Sequence, residues 1–441
     1  MKGPLRRVAV IGGGPAGCTA AYTLRKQGCD VHLFERSDRI GGRTSQIRKE
    51  GFNLGTGALF LMGGIYPRTN AILKELGHDK DLVPWKATTH VVDWDRQRYT
   101  ARFDKVTSFI KMPVFNLFDR LKMAVGVIKQ LFSPGPKSLF DGAELALYDH
   151  GETLDTWSDR VLGKKGTNYL TLPYMGFLYA VPLEWQSTPL FLGVVQQFYK
   201  LSLQVPPEGV GQFSEWLVEG TPGLDLHLSC PAEAVCIRSG GGYTVDAGGR
   251  SYDVDAVVMA PEPGVAADLL QDIINPDSVA KLRNCRYSEY AHVQLCYKKN
   301  PWPNFPASVA LPATDLRNWG ACVLLSRRHP NSVPPGGEAV GVYFYTPPLA
   351  NMTDEDIKRE ALMAVTEVFG AAPEPDFIEM FHYKRGLSLS PPGHFATLDS
   401  LHAEMPKGVV LAGDYFAHAG VEAAVLSGER AANQLLRNEM L

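Results

Sequence analysis

The chain has 441 residues, enough for about two to four domains or for one large enzyme with an insertion. Hydrophobic residues make up 45% and charged residues 21%, which excludes a disordered, collagen-like or coiled-coil chain. The 44 basic and 47 acidic residues leave a net charge of −3, so nucleic acid is not an expected partner.

Seven cysteines include no CxxC pair, so no disulfide framework is expected. The setting expected is reducing and cytoplasmic, and no metal centre is predicted. No stretch reaches the ~18 apolar residues that would span a bilayer. Residues 8–35 predict strand, turn, helix and strand. VAVIG is a short buried-strand pattern, and Gly12-Gly13-Gly14-Pro15-Ala16-Gly17 fits GxGxxG. Gly12 permits the tight turn, Gly14 lets the backbone approach a pyrophosphate, and Gly17 lets the helix pack close to the strand. The helix opening at Pro15 and Ala16 offers free N–H groups to phosphates, and Gly28 ends it. Glu35 follows Gly17 by 18 residues, where a carboxylate accepts from an adenosine ribose.

Farther along stand Glu35-Arg36-Ser37-Asp38-Arg39-Ile40-Gly41-Gly42-Arg43-Thr44 and Gly51-Phe52-Asn53-Leu54-Gly55-Thr56-Gly57-Ala58. The stretch 105–137 carries six basic residues and Asp119 as its one acid. Asn116 is placed to cap a helix over 117–132, with Asp119 at N3. Leu117, Leu121, Ala124, Ile128 and Leu131 fall on one face, widened by Phe118, Val125 and Phe132. The plain reading buries that face in the core. The alternative is an amphipathic helix at a membrane surface or a substrate mouth.

Residues 205–270 predict short strands with glycine turns, ending in the buried-strand run Asp255–Pro261. Further strands are predicted at Ala291–Tyr297, Ala321–Ser326 and Ala339–Tyr345. At the C-terminus, Val409–Asp414 reads as strand then turn, and Gly420–Ala432 as a small-residue helix.

These segments together resemble the superfamily of FAD-dependent amine oxidases, protoporphyrinogen oxidases and phytoene desaturases. The matching features are the GxGxxG unit, the GGR segment at Gly41-Gly42-Arg43, the Gly57-Ala58 loop and the ending AGD…VEAAVLSGERAA. The resemblance implies an α/β fold, in which a Rossmann-like FAD-binding domain carries an inserted mixed α+β substrate domain. It assigns 1–75, 206–270 and 386–441 to the first, and 76–205 and 271–385 to the second, with a six-strand sheet at the flavin. It implies FAD contacts from Gly12, Gly14, Pro15, Ala16, Gly17, Glu35, Arg36, Gly41, Gly42, Arg43, Gly57, Ala58, Gly413, Asp414, Val421 and Glu422. A backbone contact to adenine is implied near Ala232 or Val235, and Val235 is carried into the site.

In monoamine oxidases two tyrosines bracket the amine and a cysteine tethers the flavin. Short alignments put Gly386, Gly420 and Arg385 at those places, and no cysteine follows Cys322. The FAD is therefore expected to be non-covalent, without an aromatic cage at those positions. The expected activity is hydride removal from a fairly large, mostly apolar substrate onto flavin N5. The alternatives are an amine or amino-acid oxidase with a different pocket, and a redox-neutral flavin isomerase. Counting back from Trp302, His292 stands where the family has a lysine that holds a water near N5. Strand alternation puts His292, Gln294 and Cys296 on one face, and His292 is the catalytic candidate. The oligomeric state is left open. A peripheral membrane contact through 105–137 is kept as the one exception to a freely cytoplasmic protein.

Overall fold

The computed structural model describes residues 7–92, 98–102, 105–179, 182–312 and 318–437. The outermost ends of the expected cofactor domain, 1–6 and 438–441, lie outside the described residues.

The run RVAVI forms the strand Arg7–Ile11, central in a five-stranded sheet. Its neighbours are Asp30–Phe34 on one side and Ala256–Met259 on the other. Asp225–His227 and Val409–Leu411 form the two edges, and every pairing is parallel. Three distant stretches of chain thus build one sheet. Parallel strands are covered on both faces, so they read as unbroken apolar runs; Val8, Val10, Val31, Leu33, Val257 and Val258 are all buried.

The helix Pro15–Lys26 packs on this sheet and against the C-terminal helix Val421–Arg437. Glycine makes both approaches close. A Cβ on Gly17 would lie 1.8 Å from the Gly12 carbonyl oxygen, and one on Gly428 would lie 2.1 Å from that of Ala16. The first helix ends before Gly28, which has φ +84°.

A second sheet has seven strands, one more than the resemblance implies. In spatial order they are Phe377–Ser388, Tyr287–Tyr297, Glu338–Tyr345, Ala321–Leu324, Val309–Pro312, Thr88–Val92 and Arg98–Arg102. The excess comes from the early part of the chain, where Thr88–Val92 pairs parallel to Val309–Pro312. Val293, Leu295, Val340 and Val342 on one face pack under the helix Asp354–Phe369. The opposite face looks toward the cofactor-type sheet.

The helix predicted over 117–132 forms as Leu117–Leu131, with the Asn116–Asp119 capping box in place. Its orientation corrects the plain reading. Met123, Gly126 and Gln130 are buried, because Gly126 lets the backbone settle against Val161 and Leu162. The broad apolar face turns to solvent instead: Leu117 is 84% exposed, Phe118 73% and Phe132 87%, with Leu121, Val125, Ile128 and Leu131 exposed beside them.

Candidate functional site

The two sheets supply the walls of a cavity of about 820 Å³, a size that suits a sizeable ligand. At one end stands the glycine turn. Gly12 has φ +104°, and a Cβ there would strike the Ala260 carbonyl oxygen at 2.8 Å. A Cβ on Gly14 would meet nothing within 4 Å, so this backbone faces open space where a ligand can approach.

Glu35 is buried at the end of the neighbouring strand. One carboxylate oxygen accepts from the Gly13 N–H at 2.7 Å, and the other from the Ser37 N–H at 2.9 Å. The Gly41 N–H donates to the Gly13 carbonyl at 2.7 Å, which pins the GGR turn beneath the glycine loop. Arg43 reaches across the cavity floor. Its Nη2 meets Asp414 Oδ1 at 2.7 Å, and its Nη1 donates to the Gly386 carbonyl at 2.9 Å. Residues 371 positions apart in sequence are thereby joined in one ion pair. Ala58 N–H donates to the Arg43 carbonyl, and a Cβ on Gly57 would lie 2.4 Å from the same oxygen.

Of the sequence candidates, Gly12, Gly14, Pro15, Ala16, Glu35, Arg36, Gly42, Arg43, Gly57, Ala58, Gly413, Asp414 and Val421 line the cavity. Gly17 and Gly41 do not; they are the packing and turn glycines behind it. Three further candidates, Val235, Glu422 and His292, do not line the cavity. The Val235 side chain is the buried position of its strand and packs with Tyr243 and Val245, while Ala232 borders the cavity. Glu422 turns its carboxylate away to accept from Arg68 N, Thr69 N and Thr69 Oγ1 at 2.6–2.8 Å. It caps the helix Pro67–Leu76, and burial pushes its carboxyl above the usual range. His292 is fully buried behind the wall. Its ring stacks on Tyr343 with centroids 4.0 Å apart, and the Gly55 carbonyl is the polar group near its nitrogens, without a well-formed hydrogen bond. Burial, with Arg328 nearby, holds the imidazole neutral, well below its ordinary pKa.

The other end of the cavity is aromatic. Tyr290, Tyr343, Tyr345 and Tyr383 line it, together with Leu59, Phe60, Met62 and Tyr66. The rings of Tyr290 and Tyr383 lie 6.5 Å apart at 27°. Tyr290 Oη donates to the Gly57 carbonyl at 3.2 Å, and Tyr343 Oη accepts from Arg328 Nη1 at 2.9 Å. Burial raises the pKa of all three phenols, so they are neutral donors at neutral pH.

These tyrosines stand at positions other than Gly386 and Gly420, which carry no aromatic side chain. Gly386 is small because Tyr290 fills its space: a Cβ on Gly386 would lie 2.4 Å from that of Tyr290. Gly320 likewise makes room for the Tyr345 ring, which a Cβ would approach to 2.2 Å. Tyr290 and Tyr343 are absent from the sequence candidates. Tyr290 was within reach, since the alternation that places His292 on the inner face places Tyr290 there too. Tyr343 is set by pairing with His292 across the sheet, which no local pattern reveals.

A parallel sheet, a glycine loop opening a helix and a buried acid on the next strand define a dinucleotide-binding oxidoreductase fold. The chain belongs to the family of flavin-containing amine oxidoreductases, whose model matches residues 15–436. It is a flavin-dependent oxidoreductase. It is 25% identical over 458 aligned residues to coproporphyrinogen III oxidase of Mycobacterium tuberculosis, covering 98% of this chain and 97% of that one. Two solved structures share the fold. A protein of Exiguobacterium sp. 255-15, provisionally named a protoporphyrinogen oxidase, superposes with a TM-score of 0.78 at 17% identity, covering 99% of each chain. Cyclohexylamine oxidase of Brevibacterium oxydans does so with a TM-score of 0.71 at 20% identity, covering 99% of this chain and 100% of that one.

Proposed function

We propose that the chain binds FAD without a covalent link and oxidises a fairly large, mostly apolar molecule by hydride removal onto flavin N5. The open backbone at Gly14 and the buried Glu35 fit the pyrophosphate and ribose of FAD. When bound, the flavin supplies the two-electron acceptor. The chain's own residues position and enclose. Arg43 and Asp414 hold each other at the cavity floor, ready to orient polar groups of the cofactor. Among the described residues, no cysteine lines the cavity. His382, the one lining histidine among the described residues, is held between Asp354 and Glu289 at 2.7 Å each.

The observation that carries the substrate class is the tyrosine-walled end. Four phenol rings give flat apolar surface, and Tyr343, backed by Arg328, keeps its own proton available for a substrate heteroatom. A porphyrinogen, the substrate class named by the mycobacterial relative, is large and presents the apolar faces of four pyrrole rings. Two steps test this reading. Acid precipitation should leave yellow FAD in the supernatant, and colour retained in the pellet refutes non-covalent binding. Anaerobic addition of a porphyrinogen should then bleach the flavin. Bleaching by alkyl amines alone would favour a second reading as an amine oxidase, to which the near-parallel Tyr290 and Tyr383 rings lend support.

The solvent-facing side of the Leu117–Leu131 helix supports a peripheral membrane contact. Seven large apolar side chains are exposed there beside Lys111, Lys122 and Lys129. None of the described helices is long and apolar enough to cross a bilayer. Binding to vesicles containing phosphatidylglycerol should exceed binding to phosphatidylcholine vesicles, and Leu121→Glu with Ile128→Glu should abolish it. Absence of wild-type binding to either vesicle ends the membrane reading.

A further inference from the structure

We infer that His32, Asp225 and His227 form a binding site for a divalent transition-metal cation of the zinc class. Away from the cavity wall, the strands Asp30–Phe34 and Asp225–His227 run parallel, with Asp225 opposite His32 and His227 opposite Phe34. Alternation puts Asp30 and His32 of one strand on the same face as Asp225 and His227 of the other. Three ligand atoms converge there. His32 Nδ1 lies 3.0 Å from Asp225 Oδ2, His227 Nε2 lies 3.3 Å from the same oxygen, and the two ring nitrogens are 3.3 Å apart.

That triangle has the dimensions of a coordination face. Zinc bonds of ~2.0–2.1 Å in a tetrahedron separate neighbouring ligand atoms by about 3.3 Å. Two imidazoles and one carboxylate are ligands that zinc accepts, and the fourth position is left for water. Hydrogen bonding alone serves the trio poorly. Each ring can donate to Asp225 Oδ2, but both N–H groups then crowd into one triangle with the two nitrogens 3.3 Å apart and no acceptor between them.

The surroundings are those of a held site. The ring of Phe34 stacks on His227 at 4.7 Å, and Tyr252 closes over both His32 and Phe34. His32 Nε2 is buried without a hydrogen-bond partner, and Asp30 Oδ2 stands 3.9 Å from it. A small turn of Asp30, which Arg7 Nε already holds at 3.2 Å, gives His32 the outer carboxylate that metal-bound histidines commonly use.

The consequence is a staple between an edge strand and the strand that leads into Glu35. The Glu35 N–H donates to the His227 carbonyl at 2.9 Å, so the cation would also brace the end of the strand that presents this acid.

The test uses the holo-protein, stripped with chelator and titrated with zinc by calorimetry near pH 7.5. One equivalent should bind with a Kd below about 10 µM. His227→Ala and Asp225→Asn should each weaken binding by at least ~10-fold, with flavin content unchanged as the check on folding. Cobalt substituted for zinc should give the visible bands of a four-coordinate site with nitrogen and oxygen ligands. Binding below a tenth of an equivalent, or unaltered in His227→Ala, overturns the proposal. So does an intense thiolate band in the cobalt protein, which would place the metal at Cys230 or Cys236.

Discussion

The two ends of the cavity are built by opposite means. At the glycine end the working surface is backbone, and its shape depends on side chains that are missing. Gly12, Gly14, Gly17 and Gly41 each sit where a Cβ would collide, strain the turn or fill the approach. At the tyrosine end the surface is side chain, and glycines serve it from behind: Gly386 yields to Tyr290 and Gly320 to Tyr345. A site made of backbone must keep its residues adjacent in sequence, so it leaves a motif. A site made of side chains can draw them from strands far apart, and it leaves none.

The sharpest way to break this comparison is to add one methyl group to the glycine end. Gly17→Ala places a carbon 1.8 Å from the Gly12 carbonyl oxygen, in a stretch where helix and strand cannot separate without opening the turn. Flavin content of the purified protein should fall below a tenth of wild type, or the protein should fail to fold. Gly14→Ala meets no neighbouring atom, so this variant should fold with the unfolding temperature of flavin-free wild type while losing flavin affinity. If Gly14→Ala retains full flavin, the open space at Gly14 is not where the cofactor approaches.

This asymmetry also sets how much was legible beforehand. The strand–turn–helix of residues 8–35, the Asn116 cap and the strand at Val409 all follow from local pattern, and the structure has them. The direction of the 117–131 helix was not legible, because an amphipathic repeat gives the angle between its faces and not which face meets the protein. Gly126 decides it, by letting its own side pack closest against Val161. The side-chain direction of Glu422 is hidden for a related reason. Its place at a helix start suits a cofactor contact, yet its carboxylate meets the N-terminus of the Pro67–Leu76 helix, about 350 residues earlier in the chain. The Arg43–Asp414 pair could be named residue by residue from motifs, but not as a pair.

At the tyrosine end, loss of a single oxygen should matter less for binding and more for rate. Tyr343→Phe leaves the ring in place over His292 and removes the acceptor of Arg328 Nη1. If the phenol assists proton movement, flavin reduction by substrate should slow by ~10²-fold, with flavin content unchanged. His292→Phe separates the two residues. The ring stack survives and the imidazole nitrogens, which have only the Gly55 carbonyl nearby, are lost. Rates within about three-fold of wild type are expected there, since His292 does not reach the cavity. A ten-fold loss in His292→Phe beside an unaffected Tyr343→Phe would reverse the assignment and return the chemistry to the histidine.

The smallest effect expected is on stability, and its pH dependence follows from histidines near the tyrosine end. Burial pushes His329 down to about 3, with Arg328 adding to the shift, and burial pushes His418 down to about 4. Unfolded, each returns to about 6.5 and takes up a proton that the folded protein refuses. Stability therefore falls as pH drops below about 6.5 and levels off near pH 3–4, at a slope of about 1.4 kcal/mol per pH unit for each group. A separate loss comes lower. Lys26 with Arg68 holds Glu75 at about 2, and Lys281 holds Glu404 at about 2, so their contribution is complete above about 4.5 and lost toward pH 2. Thermal unfolding followed from pH 7 to 5 isolates the histidine window. His329→Gln keeps a donor for the Pro206 carbonyl, which Nδ1 now meets at 2.7 Å, and removes the titration. Its unfolding temperature should fall less steeply than that of wild type across this window, by about a few °C in all. Parallel curves for the two proteins would mean that His329 takes up its proton without leaving the fold.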